Sequence, residues 1–283
     1  NDPKACAALQ SLSDSTALNL AAGVYTLTVP CILNRDVIGA SGVTIQMTVN
    51  GTLYYDTIPS AHQVANLLII ASGMRYPAVV SNSAVTTVKN VAFQVNNAYA
   101  INGYGTSLAV TGCNFTGTTT SPQLIALGSS TTGTISSSRF TNAFGDNLSG
   151  VSATDSMVTI SSSVFDNMSG SVGVGLYALR SSATVNSCQF SNLVASNGSV
   201  GAGVYFLDKA ATQTLDVDSS TFTNCSALAG GGLFASGQTV QVTNSHFYNN
   251  FGVNEGGGIY VQSSNDVYVS DCDFEGNQAA KYA

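Results

Sequence analysis

Apolar and polar residues alternate with a period of two along most of this chain, around a phenylalanine that recurs at a nearly constant interval. The successive gaps are 25, 25, 25, 32, 25 and 27 residues, and the positions are Phe115, Phe140, Phe165, Phe190, Phe222, Phe247 and Phe274. Small or apolar residues stand seven and five positions before each phenylalanine, and a Cys or Ser stands two before it. Since successive side chains of a strand point to opposite sides, this alternation predicts short β-strands with one buried face.

A repeat of 25 residues has room for three short strands and three turns, which is one rung of a parallel β-helix. The sequence therefore predicts an all-β, right-handed parallel β-helix of about 10 to 11 rungs, stacked about 4.8 Å apart. Equivalent residues stack in such a fold, so the phenylalanines should form one interior stack. A second series follows five of them by two residues and should form a buried amide ladder at a turn: Asn142, Asn167, Asn192, Asn224 and Asn249.

Glycines recur in register as well, 8 to 11 residues after four of the phenylalanines. The segments are Gly173–Tyr177, Gly201–Tyr205, Gly230–Phe234 and Gly256–Tyr260, and each ends with an aliphatic and an aromatic residue. Glycine adopts positive φ and allows close approach of backbones, so these segments predict structural corners. A single Gly-x-Gly could also hold a phosphate, but four copies in register favour the structural interpretation.

The N-terminal residues do not follow the repeat. Residues 5–13 predict a short amphipathic helix that caps the first rung, as the end of a solenoid requires. Cys6 and Cys31 flank this segment and are predicted to form a disulfide, which contributes about 3 kcal/mol to stability. We therefore divide the chain into an N-terminal cap with the first rung, residues 1–30, and one continuous β-helix, residues 31–283.

Composition narrows the class of protein. Charged residues make up only 8% of the chain and the net charge is −7, whereas a nucleic-acid partner calls for a clustered basic face. The 65 Ser and Thr residues give a neutral exterior that is rich in hydroxyl groups. No apolar stretch approaches the roughly 18 residues that a transmembrane helix needs. We expect an extracellular or cell-surface protein that does not insert into the membrane.

Many parallel β-helices cleave polysaccharides, which requires carboxylates converging from neighbouring rungs, or a Ca²⁺ cluster with an Arg or Lys base. The close acidic residues are Asp216 with Asp218, and Asp271 and Asp273 with Glu275. The register turns these side chains outward and places the two groups two rungs apart. We therefore expect solvated surface residues, with no catalytic residue, no metal site and no cofactor.

The histidines and the remaining cysteines suggest no chemistry either. His62 and His246 have no metal-binding partner in register, and His246 should face solvent. Cys113, Cys188 and Cys272 share one buried position but lie three rungs apart, too far for a disulfide. They are interpreted as small buried residues in place of Ser, and Cys225 has no obvious partner.

Asn-x-Ser/Thr sequons occur about as often as chance predicts in a chain so rich in Asn, Ser and Thr. Asn114 should point outward, and Asn147 and Asn197 should lie in longer loops, so these three are the glycosylation candidates if the source is eukaryotic. Asn167 and Asn224 also begin sequons, but they belong to the amide ladder that we expect to be buried.

The Phe/Asn and glycine motifs resemble the repeats of chlamydial polymorphic outer membrane proteins, over roughly residues 165–280. Phe247-Tyr-Asn-Asn250 and Phe274-Glu-Gly-Asn277 match the Phe-x-x-Asn motif of that family, and Gly231-Gly-Leu233 and Gly257-Gly-Ile259 approach its Gly-Gly-Ala-aliphatic motif. Most copies here read Phe-x-Asn, Ala is not the third residue, and no autotransporter barrel follows. Similar repeats occur in surface proteins of algae and other protists. The resemblance implies surface display with adhesion or assembly.

The function expected from these features is that of a non-catalytic extracellular building block of a fibril or coat, or an adhesin. A polysaccharide-acting β-helix lyase or hydrolase is the alternative from another class. A carbohydrate-binding module is a third, with Tyr54, Tyr55 and Tyr104 as candidate contacts for glycans.

The C-terminal rung is followed by no predicted cap, and an open solenoid edge exposes backbone donors and acceptors. We expect this edge to meet another copy, a neighbouring surface protein or a continuation of the same chain. In the remaining alternative, residues 278–283 fold over the edge and protect it.

Overall fold

The computed structural model describes Cys6 and residues 17–33, 35–48, 51–55, 61–73, 76–82, 85–118, 123–196, 198–210 and 212–281. Every regular element in these ranges is a β-strand, and the strands pair in parallel. They follow three faces of a solenoid, and each turn of the chain visits every face once. This arrangement confirms the predicted all-β parallel solenoid.

The first and second faces form one continuous sheet. The first face contains β1 (Leu18–Leu20), β4 (Val37–Gly39), β11 (Ser107–Thr111), β14 (Thr132–Ser136), β17 (Met157–Ser161), β20 (Ser182–Asn186), β23 (Thr214–Asp218), β27 (Thr239–Thr243) and β31 (Asp266–Ser270). β7 (Ala61–Ser72) and β9 (Val85–Asn96) run along both faces. The second face also contains β2 (Gly23–Leu27), β5 (Val43–Met47), β12 (Asn114–Thr118), β15 (Arg139–Phe144), β18 (Val164–Gly170), β21 (Gln189–Ala195), β24 (Thr221–Thr223), β25 (Ser226–Ala229), β28 (His246–Tyr248), β29 (Phe251–Glu255), β32 (Asp273–Glu275) and β33 (Gln278–Ala279).

The third face is a separate sheet, with ten strands among the described residues. It contains β3 (Pro30–Ile32), β6 (Thr52–Tyr55), β8 (Val79–Ser81), β10 (Ile101–Tyr104), β13 (Ile125–Gly128), β16 (Val151–Thr154), β19 (Leu176–Leu179), β22 (Val204–Leu207), β26 (Leu233–Ser236) and β30 (Ile259–Val261). Its ten described strands mark ten rungs, with about nine turns between the first and the last, and the first face has eleven described strands when β7 and β9 are included. The described rungs therefore agree with the predicted 10 to 11.

The predicted phenylalanine stack runs through the interior of the second face. Neighbouring rings are nearly parallel, with centroids 4.5 to 5.0 Å apart from Phe115 to Phe274. Phe93 extends the stack by one ring and lies 4.9 Å from Phe115. The rings from Phe93 to Phe247 are fully buried, whereas Phe274, on the last rung, is 50% exposed.

The small residues two positions before each phenylalanine form a buried polar ladder beside this stack. The Ser138 hydroxyl accepts a hydrogen bond from the Cys113 N–H of the preceding rung at 3.2 Å. It donates to the Ser136 carbonyl at 2.9 Å. Ser163 and Ser220 bond in the same way, so the buried hydroxyls of this column satisfy themselves and a backbone N–H.

The asparagine series is a ladder at a corner, but the prediction that it is buried is wrong. All five side chains are exposed, and their φ angles lie between 52° and 55°. Each left-handed asparagine turns the chain, so the alternation of inward and outward side chains shifts by one residue. The side chain directly after each of these five asparagines therefore points inward, as Met168 and Leu193 do. On the outside, the Asn167 amide donates to Asn142 at 2.6 Å and the Asn224 amide to Asn192 at 3.2 Å.

Because of this shift, the asparagine of a Phe-x-Asn motif lies outside the solenoid and that of a Phe-x-x-Asn motif lies inside. Asn249 follows Phe247 by two residues and is exposed, whereas Asn250 follows it by three and is buried. The Asn250 side chain accepts from the Cys225 N–H at 2.9 Å, and the Asn277 side chain accepts from the Asn250 N–H at 3.0 Å. The Phe-x-x-Asn motif thus places an amide inside the solenoid, where it bonds to the backbone of the preceding rung.

The predicted glycine corners are present and have a steric cause. A Cβ atom on Gly175 would lie 2.5 Å from the Gly203 carbonyl oxygen and 2.6 Å from Cδ1 of Phe190. Gly173 adopts a φ of 56°, which a β-carbon disfavours. The Phe190 ring therefore fits against this corner only because Gly175 has no side chain.

Cys6 and Cys31 form the predicted disulfide, with Cα atoms 5.6 Å apart. The helix predicted over residues 5–13 lies, apart from Cys6, outside the described residues.

Candidate functional site

Asp218 is a structural acceptor on the outer side of the first face. Its carboxylate accepts from Asn244 and Thr243 of the next rung at 2.8 Å each, and from Ser219 at 2.9 Å. These hydrogen bonds, that from Asn244 foremost, hold the pKa of Asp218 below its usual value. The carboxylate therefore remains ionised and ties two rungs together.

Asp216, two residues earlier, is half-buried, as Asp218 is. Partial burial raises its pKa, and the neighbouring charge of Asp218 adds to the effect. In the register of the strands, Asp216 lies beside Thr184 and Gln241 of the adjacent rungs. No carboxylate from a neighbouring rung converges on it among these paired positions.

The second acidic group lies on the last rung, where Asp271, Asp273 and Glu275 are all exposed. His246, for which the sequence suggested no metal-binding partner in register, lies beside an acidic side chain: its Nδ1 atom is 2.9 Å from Oδ2 of Asp273. The Tyr248 hydroxyl lies 3.4 Å from the same nitrogen. His246 and Asp273 both immediately precede a stacked phenylalanine, so the repeat itself places them in one column. This signal was present in the sequence.

His62 is buried in β7, and burial lowers its pKa while the charge of Asp36 opposes the shift. No group of three or more His, Cys, Asp or Glu side chains within the described ranges could hold a metal ion.

Two further ion pairs join neighbouring rungs on the outside. Arg180 donates from Nε and Nη2 to the two carboxylate oxygens of Asp155 at 2.6 and 2.7 Å. The hydrogen bond from Arg180 lowers the pKa of Asp155. Arg139 approaches Asp166 at 3.9 Å. All four side chains contact solvent, so each pair contributes little to stability.

The free cysteines lie where the sequence placed them, at small buried positions. Burial raises the pKa of Cys113 and Cys188 to about 11 and that of Cys225 to about 12. Cys272, on the last rung, is half-buried. Thiols with such raised pKa values are protonated at neutral pH and are poor nucleophiles.

The glycosylation candidates Asn114 and Asn147 are exposed, and Asn197 lies outside the described residues. Asn167 and Asn224, which we expected to be buried, are exposed as members of the outer ladder. Their left-handed backbone and the amide contacts between rungs give them a structural role.

The last rung presents an apolar surface, which we call the C-terminal face: Val267, Val269 and Phe274. Their exposed fractions are 46%, 44% and 50%. The equivalent residues of the preceding rung, Val240, Val242 and Phe247, are completely buried. The C-terminal face thus has the composition of the interfaces between rungs.

A second distinct surface is a cleft of about 510 Å³ on the outside of the third face. We call it the tyrosine cleft. Its lining includes Ile32, Thr52, Tyr76, Val80, Asn102 and Tyr104. Tyr104 was a candidate glycan contact; the side chains of the other two candidates, Tyr54 and Tyr55, are outside the description.

A family model described as "Right handed beta helix region" matches residues 149–282. This match supports a right-handed β-helix, and it does not distinguish the chlamydial family. No curated protein sequence matches the chain significantly. No helix in the described part of the chain has the length and apolar character needed to cross a membrane.

Several solved structures are similar to the chain at low sequence identity and low TM-score. PfbA, a surface adhesin of Streptococcus pneumoniae, is 12% identical with a TM-score of 0.46, covering 98% of this chain and 87% of its own. A PL6 family alginate lyase, AlyGC, is 11% identical with a TM-score of 0.34, covering 97% of this chain and 52% of its own. Pectate lyase Pel9A is 11% identical with a TM-score of 0.36, covering 92% and 72%. An adhesin and two lyases at this distance carry no argument about function.

Proposed function

We propose that this chain is a non-catalytic extracellular protein that serves as a rigid building block of a surface fibril or coat, or as an adhesin. The observation that supports the proposal is the continuous stacking of paired strands and buried phenylalanine rings through the described rungs, which makes this part of the chain a rigid rod. The low content of charged residues, 8%, also leaves little repulsion between copies.

We further propose that β31, β32 and β33 pair with another protein surface, which is a continuation of the same chain, a neighbouring surface protein or a second copy in head-to-tail contact. A head-to-tail contact of this kind does not close on itself and produces filaments. The exposed valines and Phe274 provide the apolar area, and the open strand edges provide hydrogen-bond donors and acceptors.

Sedimentation velocity over a concentration series tests this assembly. The chain should form larger species as concentration rises, and Val269→Asp should suppress them because it places a charge in the contact. Val194→Asp is the matched control, since Val194 is equally exposed on the side of the solenoid. A monomer at every concentration, or equal assembly of both variants, would contradict head-to-tail assembly of copies through the C-terminal face.

A polysaccharide-acting enzyme is the second candidate, and the raised pKa of Asp216 is the observation that favours it, because a general acid must hold its proton. A screen for product release from acidic and neutral polysaccharides separates the two candidates. Release that Asp216→Ala abolishes, in a variant that remains folded, would replace the structural proposal with the enzymatic one.

A further inference from the structure

The tyrosine cleft lies across four consecutive strands of the third face, β3, β6, β8 and β10. Ile32, Thr52, Val80 and Asn102 contribute to its floor from these strands, and Tyr76 stands on the segment that enters β8. A volume of about 510 Å³ falls within the range of small-ligand sites, about 300–1,000 Å³. The floor is formed by regular strands and is therefore preformed.

Two tyrosines give the cleft its character. Tyr76 is 53% exposed and Tyr104 is 47% exposed, so both rings offer a large apolar area to solvent. The face of an aromatic ring is slightly negative and attracts the slightly positive C–H groups of a ligand. The faces of sugar rings carry such C–H groups.

Tyr104 is also held in place. The Asn102 side-chain amide donates to its hydroxyl oxygen at 2.8 Å. The Cδ1–Cε1 edge of the ring lies against Gly128 of the next rung, where a Cβ atom would be 3.7 Å from Cε1. A ring that is fixed before binding loses little conformational entropy when a ligand arrives. Because its oxygen already accepts from Asn102, the Tyr104 hydroxyl has its own proton to donate to a ligand oxygen.

The charge of the lining restricts the ligand further. The described lining residues comprise aliphatic side chains, prolines, tyrosines, a threonine and asparagines, with no ionisable acid or base other than the tyrosines. A charged ligand would lose solvation here without gaining an ion pair from these residues. The chemistry therefore fits a ligand that combines apolar C–H faces with hydroxyl groups and carries no charge.

We propose that the tyrosine cleft binds a neutral saccharide. The C–H face of a sugar ring packs against Tyr76 or Tyr104, and the Tyr104 hydroxyl donates to a sugar oxygen. This inference goes beyond the structural role proposed above and does not depend on it, since the C-terminal face and the cleft lie on different surfaces.

Calorimetric titration with neutral oligosaccharides of glucose, galactose, mannose and N-acetylglucosamine, and with uronic-acid and sialylated oligosaccharides, tests the site. At least one neutral oligosaccharide should bind, and Tyr104→Ala or Tyr76→Ala should weaken binding by about tenfold or more. Tyr104→Phe retains the ring and loses the donated hydrogen bond, so its loss should be smaller. Binding should change less than about twofold between roughly 0.05 and 0.5 M salt, because no ion pair forms.

Tyr268→Ala is the matched control, because Tyr268 is a similarly exposed tyrosine on the first face. Circular dichroism identifies variants that fail to fold, and Tyr76→Ala and Tyr104→Phe keep the test decisive if Tyr104→Ala does not fold. Three results would overturn the proposal: no neutral saccharide binds at about 10 mM, only acidic saccharides bind, or the cleft variants bind as well as the control. None of these results bears on assembly, which sedimentation measures separately.

Discussion

At the scale of single residues, the asparagines two positions after five of the phenylalanines fix a corner of the solenoid. Each adopts the left-handed conformation, and two neighbouring pairs bond through their side-chain amides. In the last rung Gly276 occupies the same column with a φ of 65°. Asparagine and glycine both tolerate this conformation, whereas other residues with a β-carbon pay about 1–2 kcal/mol. This position therefore requires the left-handed backbone conformation, and the side-chain amide is a secondary requirement.

Asn167 allows these two contributions to be separated. Asn167→Gly retains the left-handed backbone and loses the amide contact with Asn142, whereas Asn167→Ala loses the contact and strains the backbone. We expect the alanine variant to be less stable than the glycine variant by about 1 kcal/mol in urea unfolding. Equal stability of the two variants would show that the corner does not require the left-handed conformation.

Phe190 lies in the middle of the interior stack, 4.8 Å from both Phe165 and Phe222. Phe190→Ala removes a fully buried ring and leaves a cavity, so it should lower the free energy of unfolding by about 3–5 kcal/mol. Phe144→Ala is the control, because Phe144 is an exposed phenylalanine on the same face of the solenoid. Its effect in the same denaturant titration should stay within about 0.5 kcal/mol. A similar loss in both variants would mean that the stack is not a major source of stability.

At the scale of the elements, the strands keep their register, apart from a shift between Ala227 and Ala229 where β25 pairs with β29, while the loops between them vary in length. From Phe190 to Phe222 the chain needs 32 residues where the preceding rung needs 25. The loop from β21 to β22 contains residues 196–203, and the loop from β22 to β23 contains residues 208–213. The corresponding loops one rung earlier are residues 171–175 and 180–181, so the extra seven residues divide into three and four. Insertions at the corners leave the strand pairing unchanged.

Asp208 organises the second of these longer loops. Its buried carboxylate accepts from the backbone N–H groups of Ala210, Thr212 and Gln213, the last at 2.8 Å. Burial opposes ionisation, but the hydrogen bonds from Thr212 and Gln213 outweigh it and lower the pKa of Asp208. A carboxyl group with a lowered folded-state pKa stabilises the fold above its unfolded pKa of about 4, and this stabilisation disappears as the pH falls through the folded value.

The variant Asp208→Asn should therefore show a smaller loss of stability on acidification than the wild type, measured as urea midpoints at about pH 7 and about pH 3. Asp146→Asn, in an exposed aspartate of another loop, should retain the pH dependence of the wild type. An unchanged pH dependence in Asp208→Asn would exclude Asp208 as a source of acid sensitivity.

The elements also show how far a sequence with an internal repeat can be interpreted. Because identical positions stack, the spacing of the phenylalanines predicts the parallel fold, the interior stack and the glycine corners, and it was sufficient to place His246 beside Asp273. The spacing could not predict the exposure of Asn167, because a single left-handed residue shifts the alternation of inward and outward side chains by one position. The spacing also could not predict the tyrosine cleft, because four strands and a loop form it. Of its lining residues, the sequence suggested only Tyr104.

At the scale of the whole molecule, stability is distributed along one axis, because each rung contacts only its two neighbours. Central rungs are covered on both sides, whereas β31, β32 and β33 have a neighbour on one side only within the described residues. Opening should therefore begin at such a single-sided rung.

Hydrogen exchange at low protein concentration measures this gradient. Amides of β17, β18, β20 and β21 should exchange most slowly, and those of β31, β32 and β33 much faster. Raising the concentration into the range where larger species form should slow exchange in the last three strands. Uniform protection along the axis would contradict a one-dimensional distribution of stability, and unchanged exchange on assembly would place the contact elsewhere.

The parallel stacking of rungs also determines how the molecule responds to mechanical force. Hydrogen bonds between rungs run along the solenoid axis. Tension along that axis therefore loads one rung interface at a time, and the interfaces break in sequence. Each rung of 25 residues that detaches releases roughly 80–90 Å of extended chain. A pulled molecule would lengthen in a series of steps at modest force. A rod built in this way absorbs energy one rung at a time and keeps its remaining turns intact.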